Sequence, residues 1–325
     1  LKIGSPFHAV ILTTVFSLQT SIGLLGNSFL VWILIITFLA GHKLRPIDTI
    51  LAQLVWVNSL VLLFKGIPET TASLGLKNFL DDNGCKTVFY IHKVCRGLSI
   101  SLTCLLSGFQ AITISPTTYR WAKFKDKGPK SIIPCSLLCW FLQLLLNIIV
   151  LEKIQRTRIS KNISNLLDFG YCHTSVVSTI KAALFAVVDS FPDAACVGFI
   201  IFASGYMMFF LKRHQKRTQH IHVSRPSPRV SPETRATQSI LLLVNTFVGF
   251  SLLNSILVIY MHFSNPRPWL LHTSNFLAAC FPIISPFVLI TTDSQVLKYC
   301  YAVWGTLQLL PFLPSPVLSK EPSPS

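Results

Sequence analysis

Seven stretches of this chain are too long and too apolar to fold in water. They run near 8–38, 47–74, 85–115, 131–151, 175–211, 236–262 and 270–291. About 20 apolar residues in a helix cover the roughly 30 Å hydrocarbon core of a bilayer. In hydrocarbon no water satisfies a free N–H or C=O, so each span must carry its own backbone hydrogen bonds, as a helix does. The fold class is therefore an all-α membrane protein, a seven-transmembrane helix bundle over residues 1–292. A short cytoplasmic tail follows at 293–325, and its proline- and serine-rich composition predicts disorder. The fifth run exceeds one crossing and must extend into water. Only 12% of the residues are charged, against about 25% in soluble domains. The net charge of +16 lies in short blocks between the apolar runs, which marks topology rather than a nucleic-acid face. The first run is about 30 residues long without a small-residue cleavage site, so it does not read as a signal peptide.

Orientation follows from those basic blocks. With the N-terminus extracellular, the inner loops and tail hold sixteen lysines and arginines and the outer side eight. That asymmetry predicts a multi-pass protein with an extracellular N-terminus.

The third run, from Cys85 to Pro116, is the expected centre of the bundle. Phe89, Lys93, Arg96, Ile100, Thr103 and Ser107 recur at three- and four-residue steps and share one face. A charge left on lipid costs about 2.5–3.5 kcal/mol, so this face is expected to point inward. Gly97, Ser99, Ser101, Ser107 and Gly108 let neighbouring helices approach closely. Lys93 and Arg96 sit below Cys85, and the acids at similar expected depth on neighbouring helices are Glu69 and Asp189. Lys93, Arg96, Glu69 and Asp189 are the candidate ligand-binding residues; mutual neutralisation of two cations and two acids is the alternative. Lys65 and Glu69 are four apart and able to pair, and Pro68 between them is expected to bend the helix. Asp193 lies one turn beyond Asp189. Asn27 and Asn58 are polar breaks in otherwise apolar runs.

Nine cysteines are present. Cys85 and Cys172 are the two on the outer, oxidising side and are expected to form a disulfide. Cys95, Cys104, Cys135, Cys139, Cys196 and Cys280 fall within apolar runs as small core residues. Cys135 and Cys139 lack a third ligand, so no metal site is expected. Cys300 follows the seventh run and is a candidate for palmitoylation. Asn162-Ile163-Ser164 falls in an outer loop, which makes Asn162 the expected glycosylation site. No P-loop, HExxH or GxSxG motif appears, no nucleophile–base pair can be named, and no cofactor is implied, so the chain is not read as an enzyme.

Several motifs together resemble the vomeronasal type-1 (pheromone) receptors, within the rhodopsin-like G-protein-coupled receptors. They are HKLRPID at 42–48, KGIPET at 65–70, RGLSIS at 96–101, CLLSGFQAITISP at 104–116, DFGYC at 168–172, ASGYM at 203–207, SPRVSPETRATQSILLLV at 227–244 and FPIISPF at 281–287. The resemblance spans about residues 20–290. It implies a plasma-membrane receptor of chemosensory neurons, with a small pheromone-like ligand and an inhibitory-class heterotrimeric G protein as partners. Rhodopsin-like patterns are modified in the way vomeronasal receptors modify them. Gly108-Phe109-Gln110 replaces Asp-Arg-Tyr, Asn58 stands where a sodium-binding aspartate is usual, and Ser285-Pro286 replaces Asn-Pro. The alternatives are a transporter or channel for a small solute and a non-signalling, pseudogene-like or truncated product, since Leu1 is not an initiator. Halves that do not repeat and the lack of a ring of like charges argue against a transporter or channel.

Overall fold

The computed structural model describes residues 6–41, 45–76, 79–115, 119–148, 166–168, 173–175, 179–221, 232–263, 268–292, 296–301 and 305. Helices α1 (Pro6–Leu39), α2 (Pro46–Ser73), α3 (Asp82–Ile114) and α4 (Tyr119–Leu146) come first. Strands β1 (Leu166–Asp168) and β2 (His173–Ser175) follow, then helices α5 (Thr179–Ile221), α6 (Pro232–Phe263) and α7 (Pro268–Thr292). A short helix at 296–301, α8, closes the described chain. The tail is thus helical where it is described, and Val296 is buried.

Local chemistry sets the helix starts. Arg45 is extended (φ −66°, ψ 148°) ahead of Pro46, the conformation a following proline favours. Pro46 needs no N–H in the first turn, and Asp48 accepts from the Arg45 backbone N–H at 2.8 Å. Asp81 is the N-cap of α3, its side chain accepting from the Gly84 N–H at 2.8 Å. That cap starts α3 ahead of its apolar run, because a cap needs a side-chain oxygen rather than hydrophobicity. Helices α4 and α5 likewise run past their apolar parts into basic sequence.

Among the described residues six helices are long and apolar enough to cross a membrane, and the apolar part of α4, Lys130–Leu146, is shorter. Large apolar side chains crowd the outer faces: Leu25 is 71% and Phe202 72% exposed. A soluble protein rarely shows so broad an apolar surface; hydrocarbon is its natural solvent. Inside, Leu30, Leu54, Leu98, Leu102, Leu106, Ile240 and Leu243 belong to one buried cluster. Phe247 of α6 meets Phe281 of α7 edge-on, centroids 4.8 Å apart.

Helix α3 is central, packed on α2, α4, α5 and α6, while α7 closes the ring against α6, α1 and α2. Gly97 lets α4 come close: a Cβ there would collide with the Gln143 amide. Gly66 does the same for α1, whose Thr20 occupies the space a side chain would need. Strands β1 and β2 form an antiparallel hairpin pairing Leu166 with Ser175 and Asp168 with His173, an element the sequence reading did not anticipate.

Candidate functional site

Toward the Cys85 end of α3 the bundle gathers a group of ionisable side chains. Lys65 and Glu69 stand one turn apart on α2, but among the described residues they do not form a close ion pair. Lys65 Nζ instead donates to the Asn275 backbone oxygen of α7 at 3.1 Å. The two charges still act on each other electrostatically, but the closest partner of Lys65 comes from a helix distant in sequence rather than from Glu69. One carboxylate oxygen, Glu69 Oε1, is buried and has no hydrogen-bond partner.

Helix α3 supplies the facing wall. Arg96 is exposed although Cys95, Gly97, Leu98 and Ser99 around it are buried. It lies within electrostatic reach of Lys65 and of His92, and Lys93 is also close to His92. Arg96 therefore borders the polar cluster of α2 and α7. Below it on the same face, Ile100, Thr103 and Ser107 are buried. The Thr103 and Ser107 hydroxyls donate to carbonyls one turn back, at 2.7 and 2.8 Å. Asp189 lies on α5, and its side chain lies outside the described residues. So do Cys172 and Asn162. Cys85 is 2% exposed and disulfide-bonded.

Sequence reasoning placed Lys93, Arg96 and Glu69 here but left out His92 and Asn275 and gave Lys65 only a pairing role. A lysine inside an apolar run was a usable signal. Asn275 carried none, because only the fold brings α7 against α2.

Deeper in, neutral side chains tie four helices together. Ser99 donates to Asn58 Oδ1 at 2.8 Å, and Asn58 Nδ2 donates to Ser285 Oγ at 3.0 Å. Both Asn58 and Ser285 are fully buried. Beside them, Pro286 has no N–H to offer the carbonyl four residues earlier, that of Pro282. Asn27 of α1 fills the gap, its Nδ2 donating to Pro282 O at 2.8 Å and to Gly23 O at 2.7 Å. The polar breaks at 27 and 58 are thus structural joints in the bundle.

At the opposite end of the bundle, Arg45 and the buried Asp48 form a two-pronged pair, with Arg45 Nη2 at 2.7 Å and Nε at 3.0 Å from Oδ1. Tyr299 of α8 donates to Asp48 Oδ2 at 3.2 Å, which holds the tail against α2. Ser115 at the end of α3 and Tyr206 of α5 share a 2.6 Å hydrogen bond. On α8 the half-buried Cys300 thiol is pushed up by that burial.

Comparison with known proteins follows the same lines. A sequence profile of the vomeronasal organ pheromone receptor family matches residues 10–302. Vomeronasal type-1 receptor 1 of Homo sapiens is 44% identical over 299 residues, which are 92% of this chain and 84% of that protein. Vomeronasal type-1 receptor 4 of Homo sapiens is 43% identical over 285 residues, 87% of this chain and 95% of that one. Squid rhodopsin superposes with a TM-score of 0.70 at 13% identity, covering 94% of this chain and 88% of its own. That last likeness concerns the fold.

Proposed function

The chain belongs to the vomeronasal organ pheromone receptor family and is a multi-pass chemosensory G-protein-coupled receptor, not an enzyme; from there we propose what it detects and how it signals. The ligand is a small pheromone-like molecule, bound in the outer half of the bundle by Lys93, Arg96, Glu69 and Asp189, with Lys65 beside them. The observation that carries this reading is the polar cluster itself. Arg96 stays exposed within a buried stretch of α3, next to Lys65, and Glu69 keeps one buried oxygen unpartnered. Such a site has donors and an acceptor to offer a polar or anionic ligand.

A ligand acts by binding one arrangement of the helices better than another. The inner ends of α3, α5 and α6 and the basic inner loops meet an inhibitory-class heterotrimeric G protein. The N-terminus is extracellular, Cys85 pairs with Cys172, and Asn162 carries the glycan. The receptor resides in the plasma membrane of chemosensory neurons.

The test is ligand-evoked nucleotide exchange on membranes that hold the receptor, with inhibitory-class and stimulatory-class α subunits compared. Exchange on the inhibitory class is expected. Ligand-driven solute flux without exchange overturns the signalling reading. Arg96→Lys keeps the charge and loses the planar fork. It should weaken an anionic ligand about tenfold, roughly one charge-assisted hydrogen bond of 1.5 kcal/mol, while surface expression holds. Unchanged potency for every active ligand removes Arg96 from the pocket.

A further inference from the structure

Helix α3 is covered unevenly. Among the described residues α4 and α5 make next to no direct contact, although each packs on α3. Between them lies a groove of about 580 Å³ floored by α3, inside the roughly 300–1,000 Å³ range of small-molecule clefts. Its rim residues Leu142, Leu146 and Phe199 are 43%, 47% and 48% exposed, on surface that faces hydrocarbon in a membrane. An opening on that surface meets lipid rather than water, so whatever covers it comes from the bilayer.

The lining narrows the chemistry. Among the described residues that line the groove none is charged, so a phosphate or an ammonium finds no counter-charge inside it. Ser101, Cys104 and Gly108 on α3 and Cys135, Cys139 and Cys196 on the flanking helices are small and leave a smooth floor, to which Phe109 and Phe199 add flat rings. Gly108 has no side chain to hold the Phe199 ring off: a Cβ there would stand 3.4 Å from it. Gln143 and Ser101 close one end. Gln143 Nε2 donates to Ser101 Oγ at 3.1 Å and Asn147 Nδ2 donates to Gln143 Oε1 at 3.2 Å, so these polar groups bond within the protein. Ser131 and Ile112 mark the other end, beside the exposed Lys130 where the apolar part of α4 begins. At the helical rise, the stretches from Ser101 to Ile112 and from Ser131 to Gln143 are about 16–18 Å long. That is close to one leaflet of a roughly 30 Å hydrocarbon core.

We propose that this groove binds a sterol, its ring system lying on α3 between α4 and α5 and its hydroxyl at the Ser131 end, where the membrane surface begins. Lipid tails are as apolar as the groove, so entering it from the bilayer brings no hydrophobic gain. Contact and the entropy lost on being held decide the occupant instead. A flexible acyl chain gives up rotational freedom when fixed against a wall, whereas a fused ring system has almost none to give up. A smooth groove of one leaflet's length therefore favours the rigid, flat, uncharged lipid over a phospholipid tail. Bound there, the sterol supplies the α4–α5 contact that the side chains leave out.

The site is independent of any pheromone-like ligand or G protein and is tested without either. The full chain in phosphatidylcholine vesicles is irradiated with a cholesterol analogue that carries a diazirine on its ring system, and the labelled peptides are mapped by mass spectrometry. Label on the groove faces of α3, α4 and α5 is expected, and excess cholesterol should compete it away. Phosphatidylcholine with a diazirine in its acyl chain should label the same residues far less. Cys135→Phe fills the groove and should lower sterol labelling about tenfold, the effect of about 1.4 kcal/mol of lost binding. Cys139→Met, a smaller filler one turn along, serves where Cys135→Phe lowers surface expression. Leu137→Phe is the control, because Leu137 is 62% exposed on the lipid face of α4, and it should leave labelling unchanged. Label spread over all lipid-facing helices without competition overturns the proposal. So does acyl-chain label as strong as sterol label in the groove, or labelling indifferent to a filled groove in a variant that reaches the surface.

Discussion

Among single residues, the bundle depends on polar atoms that answer a specific backbone defect. Pro286 leaves the Pro282 carbonyl without its helical donor, and Asn27 supplies one from α1. Without Asn27 that carbonyl keeps only a longer 3.4 Å contact from Ser285 Oγ, and losing one hydrogen bond costs about 0.5–1.5 kcal/mol net. Asn27→Ala should therefore lower stability by about that amount, read as the thermal midpoint of the detergent-solubilised receptor. Pro286→Ala returns an N–H to the helix, so in that background Asn27→Ala should cost clearly less. Equal costs in both backgrounds would show that Asn27 acts through something other than this carbonyl. The ionisable residues follow the same logic in a less saturated way. Asn275 accepts from Lys65, and one oxygen of Glu69 is left without a partner.

Between helices, close approach is decided where side chains are absent. Gly97 is buried on α3 and admits Gln143 of α4, which holds Ser101 and, through its own backbone carbonyl and side chain, Asn147. A leucine at 97 would push α4 away or force the amide out. Such overpacking costs about 1–3 kcal/mol, so Gly97→Leu should reduce surface expression and thermal stability. Gly198 on α5 is the control, because a Cβ there meets nothing within 4 Å. Gly198→Leu should be tolerated, and equal damage from both substitutions would refute a role specific to the α3–α4 contact. The ends of helices tell a similar story. Pro46 stands at the start of α2, but Asp81 caps α3 ahead of the apolar run expected from Cys85, and the extensions of α4 and α5 carry basic residues with no apolar period.

Across the molecule as a unit, the proposed topology rests on basic residues gathered on one side. An outer-loop modification is the natural check on it. A glycosidase should lower the apparent mass of the receptor made in cells, and Asn162→Gln should abolish that shift. Peptide mapping of the same material should recover Cys85 joined to Cys172. A mass indifferent to both treatments, or a free Cys172 thiol, would reverse the assignment of that loop to the outside. A seven-helix frame with α3 at its centre leaves two kinds of interior: a polar cluster toward the Cys85 end of α3 and neutral joints toward the middle. Rhodopsin-like superposition at 13% identity shows how little sequence that frame requires.

That the chain forms seven helices in a bilayer was legible from its residues, because hydropathy over about 20 of them reports the solvent a segment must meet. So was the family, through motifs at fixed positions. Lys93, Arg96 and Glu69 stood out as well, because charge inside an apolar run is never neutral information. Which helices touch became visible only in the folded chain. In lipid every outward face is apolar, so hydrophobicity cannot say which neighbour a helix takes; small residues and scattered polar atoms do, and their partners lie far along the chain. Asn27 finds Pro282 and Lys65 finds Asn275 only after α1 and α2 have been set against α7.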